Sequence, residues 1–274
     1  MERNDPAYKG QAGYNPVLPV LLAIYDPWVL GFMSRAVWHV PIPSFVESYR
    51  ANIGRRHLDV GPGTGYFIEK AAPPEDTEIT LLDPNPHVLR RAGKRLAARN
   101  PAVVEADVMK PLPVAGPFDS AALSFVLHCL RGPDANKAIA IRNIADVLTP
   151  DGVLFGGTVL GLEERHSKPA RAFLRAANKE GGFDNAGDTA EGLRTILSES
   201  FHVGDLQELE PPSSIWPLPV RPRSAGCSTS ATRRLAMNRA VRTGVPPRVT
   251  STTSTMVRPV VISTRRPARV AAIS

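Results

Sequence analysis

Three aspartates and three glycines are spaced so as to build a ligand site. Asp59 lies in the run Leu58-Asp59-Val60, and Gly61, Gly63 and Gly65 follow at every second position in RHLDVGPGTGYF. Glycine at that density is costly in a folded chain, because it loses more conformational freedom than any other residue. A stretch so bare is expected where something must approach the main chain closely. Asp83 closes the run EITLLD and Asp107 closes AVVEAD. An acid at the first of these ends can bind both hydroxyls of a ribose, and one at the second can accept from an exocyclic amine. Residues Ser124 to His128 leave a fourth apolar run, FDSAALSFVL. Taken singly, each feature has a plain structural reading, since Gly-rich turns and aspartates that cap helices are common. Four of them at the ends of four successive strands point to a nucleoside-bearing ligand. The dinucleotide fingerprint is G-x-G-x-x-G, with a pyrophosphate on the helix that follows. Here the spacing is G-x-G-x-G, and Asp59 beside it would repel a pyrophosphate. An acid there suits a ligand with an amino group and a sulfonium.

The elements that must position these residues alternate along the chain. LDVG at 58–61 reads as a buried strand, and GYFIEKAA begins a helix that Pro73-Pro74 stops. EITLLD is a second strand. PHVLRRAGKRLAAR is a helix with Val88, Leu89, Ala92 and Leu96 on one face and arginines on the other. AVVEAD and FDSAALSFVL are the third and fourth strands. Pro133 to Leu148 reads as a helix with Ile139, Ile144, Val147 and Leu148 inward, and TPDG turns the chain into a fifth strand, VLFGGTVLG. Helices near 168–180 and 188–199 and a sixth strand, FHVGDLQEL, follow. Such alternation predicts an α/β fold, a Rossmann-like, doubly wound, mostly parallel sheet covered on both faces. Ligands of such sheets bind outside the carboxyl ends of the strands, where the strand order reverses.

At these residues the chain resembles the class I S-adenosylmethionine-dependent methyltransferases. The resemblance rests on HLDVGPGTGYF, the acid in TLLDPNP, ADV after the third strand, and FDSAALSFVLHCL followed by VLTPDGVLFGGTVLG. YDPWVLGFMSRAVWHVP is similar to the N-terminal part of a UbiE-like subgroup acting on small molecules, as in secondary metabolism. It implies S-adenosylmethionine as cofactor. Asp59 and the loop Gly61, Pro62, Gly63, Thr64 and Gly65 would hold its methionine end, Asp83 and Pro84 its ribose, and Asp107 and Val108 its adenine. Ser124 and Tyr25 complete the expected cofactor set. The sulfonium is already an activated leaving group, so the protein has to align a nucleophile and exclude water. His128 is the expected general base, since imidazole titrates near neutrality. Its plain alternative is a helix-start histidine bonded to a carbonyl. Tyr25, Trp28 and Trp38 read as a lid or as packing, Cys129 as core, and His39, His57 and His87 as structural or exposed. No metal is expected.

Charge divides the 274 residues sharply. The net +7 combines residues 1–210, with 22 basic and 26 acidic residues, and residues 211–274, with eleven arginines, no lysine and no acid. The expected organisation is a helical lid segment at 1–50, a cofactor-binding domain at 51–210, and a basic Pro/Ser/Thr/Arg-rich tail at 211–274 with too little apolar content to order itself. The family fold ends with an antiparallel seventh strand between strands five and six. Prolines at 211, 212, 217, 219 and 222 argue against one here, so that strand is expected to be missing or degraded. A frame change or mis-joined exon would explain the ending, and regular structure is not expected in 221–274. Two cysteines far apart give no disulfide framework, and the N-terminus is no secretory signal, so a cytoplasmic setting is expected. The apolar segment VLPVLLAIYDPWVLGF is too short and too interrupted to span a bilayer.

Three functions follow from this reading. The first is methyl transfer to a small, hydrophobic or aromatic acceptor. The second is a nucleic-acid methyltransferase that gathers phosphates on the tail; the acidic body and the lack of stacking aromatics in the tail weigh against it. The third is a non-enzymatic, frame-altered product that only binds the cofactor. No feature of the sequence specifies an oligomeric state.

Overall fold

A computed structural model describes residues 42–161 and 166–203 in full and, beyond them, the backbone of three short strands. The elements are α1 (Ile42–Asn52), β1 (Arg56–Val60), α2 (Tyr66–Ala71), β2 (Glu78–Asp83), α3 (Pro86–Arg95), β3 (Ala102–Glu105), β4 (Phe118–Ser124), α4 (Asp134–Asp146), β5 (Leu148–Gly157), α5 (Lys168–Lys179), α6 (Ala190–Ser198), β6 (His202–Val203), β7 (Gln207–Leu209), β8 (Ser214–Trp216) and β9 (Thr264–Arg265). Short 3-10 turns sit at Ala97–Arg99 and Leu127–Cys129.

Strands β1 to β5 pair in parallel, and the main sheet runs β3-β2-β1-β4-β5-β9-β6. The doubly wound parallel sheet expected from the alternation is therefore present, with its reversal of strand order between β1 and β4. Successive residues of each central strand feed opposite faces, as strand geometry requires. Leu58, Leu82, Ala121 and Leu154 pack with Ala138, Ile141 and Ile144 of α4 and Leu193, Ile196 and Leu197 of α6. Leu81, Ala122 and Phe155 pack with Tyr49 of α1, Ile68 of α2 and Leu89 and Ala92 of α3. Asp59 and Ser124 fall on this second face.

Local chemistry explains the helix starts. Asn85 accepts a hydrogen bond from the His87 N–H, Ser167 from Ala170 and Thr189 from Gly192, capping α3, α5 and α6. α3 and α5 also have proline in the first turn, where its missing donor costs nothing. α2 ends at Ala72, in a left-handed conformation, before the two prolines.

Four expectations need correcting. α4 stops at Asp146, so its inward residues are Ala138, Ala140, Ile141, Ile144 and Ala145; Ile139 is only half-buried and Leu148 opens β5. The sixth strand is two residues long, and Gln207–Leu209 instead pairs with Ser214–Trp216 in a separate antiparallel ribbon. Between strands five and six lies only the two-residue strand Thr264–Arg265, antiparallel to both β5 and β6, in keeping with the degraded seventh strand expected. Regular structure therefore does occur within 221–274, although as two residues only. Finally, α1 runs through the boundary expected at residue 50, because Phe45 and Tyr49 are buried in the core. Tyr25, Trp28, Trp38 and His39 lie outside the described residues.

Candidate functional site

The carboxyl ends of β1, β2 and β4 converge on the loop Gly61–Gly65. Gly61 has φ +69, and a Cβ there would stand 2.4 Å from Val126 Cγ2. Gly63 has φ +57, which a side chain resists, yet a Cβ built on it would meet nothing within 4 Å. Gly61 is thus required by the protein's own packing, whereas among the described residues Gly63 faces open space. A bare backbone turned toward open space is what a ligand lying against the loop requires. Gly65 packs against Ala92 and Leu96 of α3 and opens α2. Thr64 is buried, and its hydroxyl accepts from Arg95 Nη1 at 2.8 Å.

Two carboxyl groups sit beside this loop. Asp59 is 2% exposed, and burial, with the nearby Asp83 charge, pushes its pKa up to about 8 against a hydrogen bond from Tyr49. Asp83 is half-buried; burial pushes it up to about 7, opposed by the Asn85 N–H, which donates to its Oδ1 at 2.7 Å. Among the described residues neither has an ion-pair partner. Both are acids held where ionisation is unfavourable, and both would be relieved by a ligand bringing a cation and hydroxyl donors. Pro84 follows Asp83, half-buried, at the start of the turn into α3.

Asp107 lies two residues beyond β3, and its Oδ1 accepts from the Met109 N–H at 2.9 Å. Val108 is buried, with its carbonyl held by Asn143 Nδ2. Ser124 ends β4, and its Oγ accepts from the Tyr49 phenol at 3.1 Å. Tyr49 was not singled out from the sequence. The signal available was Phe45 and Tyr49 four apart on one helix face, just before the first strand.

His128 does not stand as a base would need to. It is buried, and burial together with the Lys137 charge lowers its pKa to about 3. Nδ1 accepts from the Val159 N–H at 3.3 Å and lies 3.2 Å from Thr158 Oγ1. The neutral ring therefore carries its proton on Nε2, so it can donate a hydrogen bond but has no free lone pair to take a proton. This geometry gives the general-base expectation no support, and the ring's partners are the Val159 N–H and the Thr158 hydroxyl, not the carbonyl of the plain alternative. His57 is fully buried, its Nδ1 2.8 Å from Ser120 Oγ, while His87 is exposed. Cys129 is half-buried, its thiol pushed up to about 12 by burial.

Around His128 the surface is aromatic. Phe183 lies 4.3 Å from its ring and Phe125 6.3 Å, and Phe173 packs on Phe183 with 37% of its own surface exposed. Phe125 has φ +61, an unfavourable conformation for a bulky side chain. It places the ring 4.6 Å from Phe45 of α1. Segment 183–188 is tied to this end of the sheet. Asn185 Nδ2 donates to the carbonyls of Val159 and Leu160, Asp184 N–H donates to the His128 carbonyl, and buried Lys137 pairs with Asp188. Among the described residues no group of three or more His, Cys, Asp or Glu side chains could hold a metal ion, and no helix is long and apolar enough to cross a membrane.

Residues 58–154 match a family model described as a methyltransferase domain. The chain is 37% identical over 210 residues to a physcion biosynthesis cluster O-methyltransferase of Aspergillus chevalieri, covering 74% of this chain and 91% of that one. It is 36% identical over 194 residues to demethylluteothin O-methyltransferase of Streptomyces thioluteus, covering 70% and 83%. Among solved structures, PigF with SAH aligns at 20% identity with a TM-score of 0.54, over 72% of this chain and 58% of that one, a likeness of fold. The chain belongs to the class I S-adenosylmethionine-dependent methyltransferases. Its reaction is methyl transfer, and its cofactor is S-adenosylmethionine. The open cradle at Gly63 and the acids beside it, which have no ion-pair partner among the described residues, fit that cofactor.

Proposed function

We propose that this chain transfers a methyl group from S-adenosylmethionine to a small, apolar or aromatic acceptor seated against Phe125, Phe173 and Phe183. The observation that carries the cofactor half is buried Asp59, without a cation among the described residues, beside the bare face of Gly63. When bound, the cofactor supplies a methyl group on a sulfonium, already activated for displacement. Asp59 would hold the ammonium end against the Gly61–Gly65 loop, with Pro62 and Thr64 shaping it, and Asp83 and Pro84 would take the ribose. Asp107 and Val108 would flank the adenine, and Ser124 would fix Tyr49 beside Asp59. Neutral His128 orients an acceptor oxygen or nitrogen by donating from Nε2, while the aromatic side chains exclude water.

The acceptor half rests on that aromatic surface and on the small-molecule methyltransferases among the chain's relatives. In this reading α1 belongs with the cofactor-binding domain, which extends through residue 210, and the basic tail takes no part in transfer. The paucity of cysteine fits a reducing, cytoplasmic setting. Calorimetric titration with S-adenosylmethionine and, separately, NADH tests the cofactor, with binding expected for the first alone. Transfer of labelled methyl to a panel of small phenols, aromatic amines and RNA tests the acceptor. Methylation of RNA in preference to every small aromatic would overturn that half.

A further inference from the structure

Tyr49 has one hydroxyl proton and two acceptors. Its oxygen is 3.1 Å from Ser124 Oγ and 3.5 Å from Asp59 Oδ1, so the phenol bridges β1 and β4 from a helix outside the sheet. The ring has almost no freedom to move: Phe67 stacks on it at 5.3 Å, Phe155 meets it edge-on at 5.1 Å and His57 at 6.3 Å. Only the O–H bond can turn. Burial and the Asp59 charge hold the phenol well above its ordinary pKa, so it stays protonated.

We infer that Tyr49 is a positioning residue for cofactor capture: its O–H points to Ser124 while Asp59 is protonated and turns to Asp59 when the cofactor's ammonium group displaces that proton. This rests on the cofactor reading above. The proton balance is simple. Protonated Asp59 plus a cationic ligand gives the ion pair, and one proton leaves to solvent. With Asp59 protonated, its carboxyl can donate to the phenol oxygen, which donates onward to Ser124. With Asp59 ionised, an acceptor–acceptor clash would arise at 3.5 Å unless the phenol proton turned round. The charged and titratable groups around Asp59 agree with this. Asp83 on β2 is a second acid that disfavours its ionisation, and His57, two residues away on β1, is held neutral by burial.

The test is calorimetric titration of the full chain with S-adenosylhomocysteine, which has the ammonium and ribose but no methyl to transfer. Running it in two buffers of different ionisation enthalpy counts the protons released. Wild type is expected to release about one proton from Asp59 and a further fraction from Asp83 at pH 7, and to bind more tightly as pH rises. Tyr49→Phe deletes the donor to ionised Asp59, so affinity at pH 7 should fall roughly tenfold and the pH of half-maximal tightening should move up. Ser124→Ala removes the competing acceptor and should move that pH down. A merely structural role would move both variants in the same direction, through stability, and that result overturns the inference. So does an unchanged pH midpoint in Tyr49→Phe, even with binding intact. Failure of the wild type to bind S-adenosylhomocysteine at any pH would instead overturn the cofactor reading and this inference with it. Melting curves confirm that each variant is folded, and Tyr49→Phe keeps the stacked ring.

Discussion

Two buried charged regions in this chain have opposite designs. At one end of α4, Lys137 is 1% exposed, yet its ammonium is matched by the Asp188 carboxylate and the Asp184 carbonyl. At the end of β1, Asp59 is equally buried and, among the described residues, has no cation. The first region is closed: its charges are balanced by the chain itself, and their work is to pin segment 183–188. The second is open, since an acid kept out of water without a counter-ion is a cost the fold alone does not explain. Burial of charge does not mark a functional site. Burial without compensation does.

The largest expected effect tests the closed region. Lys137→Met leaves the Asp188 carboxylate and the Asp184 carbonyl without their partner, and should destabilise the fold by about 3–5 kcal/mol in urea unfolding. A loss below about 1 kcal/mol would show that Asp188 escapes to solvent and that the region is less closed than described. Next comes Gly63→Val, which fills the open cradle and strains a left-handed position. Cofactor affinity should fall at least a hundredfold, equivalent to about 2.7 kcal/mol, against roughly 1–2 kcal/mol of lost stability. Equal affinity in this variant would remove the ligand from the loop.

Asp59→Asn sharpens the contrast by separating stability from binding. The folded carboxyl has a pKa of about 8, against an ordinary value of 3.8. Between those values the native state keeps a proton that the unfolded chain gives up, so stability contributed by this group falls as pH rises. Asparagine cannot titrate. The melting temperature of the free variant should therefore exceed that of wild type at pH 8.5, and the gap should shrink toward pH 5, while cofactor affinity falls by roughly ten- to a hundredfold. A variant less stable than wild type at pH 8.5 would mean that Asp59 already has its counter-ion within the chain. The smallest effect is expected at His128. Because Nδ1 is occupied, His128→Asn should lower kcat less than about tenfold and leave its pH profile in place. Loss of the roughly 10²–10⁴-fold typical of a general base would restore the catalytic reading.

Most of the open region was legible in the sequence, and the closed one was not. Asp59, the three glycines and Asp83 announce themselves because their work is local: an acid within one strand, the turn that follows it, and an acid closing the next strand. Strands β1 to β5 were legible for the same reason, short apolar runs bounded by turn residues, all but β3 followed by a helix. Lys137 and Asp188 stand 51 residues apart, and only the fold brings them together. Asn185 reads as an ordinary loop residue until its side chain is found on the carbonyls of Val159 and Leu160, just beyond β5. His128 looked free to titrate because sequence shows the ring and not the Val159 N–H pointing at it. In α4 the apolar stripe was misjudged by two residues, since the helix ends at Asp146 and Leu148 belongs to the next strand. In the slot between β5 and β6 the strand is expected to be missing or degraded because the nearest following residues are rich in proline. Nothing in chain order signals that Thr264–Arg265 would enter it from so far downstream.

The Lys137–Asp188 pair also has a consequence in time. Lys137 and Asp188 stand 51 residues apart and meet only through long-range packing. A buried pair of that separation is expected to form after the transition state for folding. Interactions absent from the transition state act on the unfolding limb. Disrupting this pair should therefore accelerate unfolding in a denaturant jump and leave the refolding rate nearly unchanged, making a single buried lysine a clasp that governs how long the folded molecule persists.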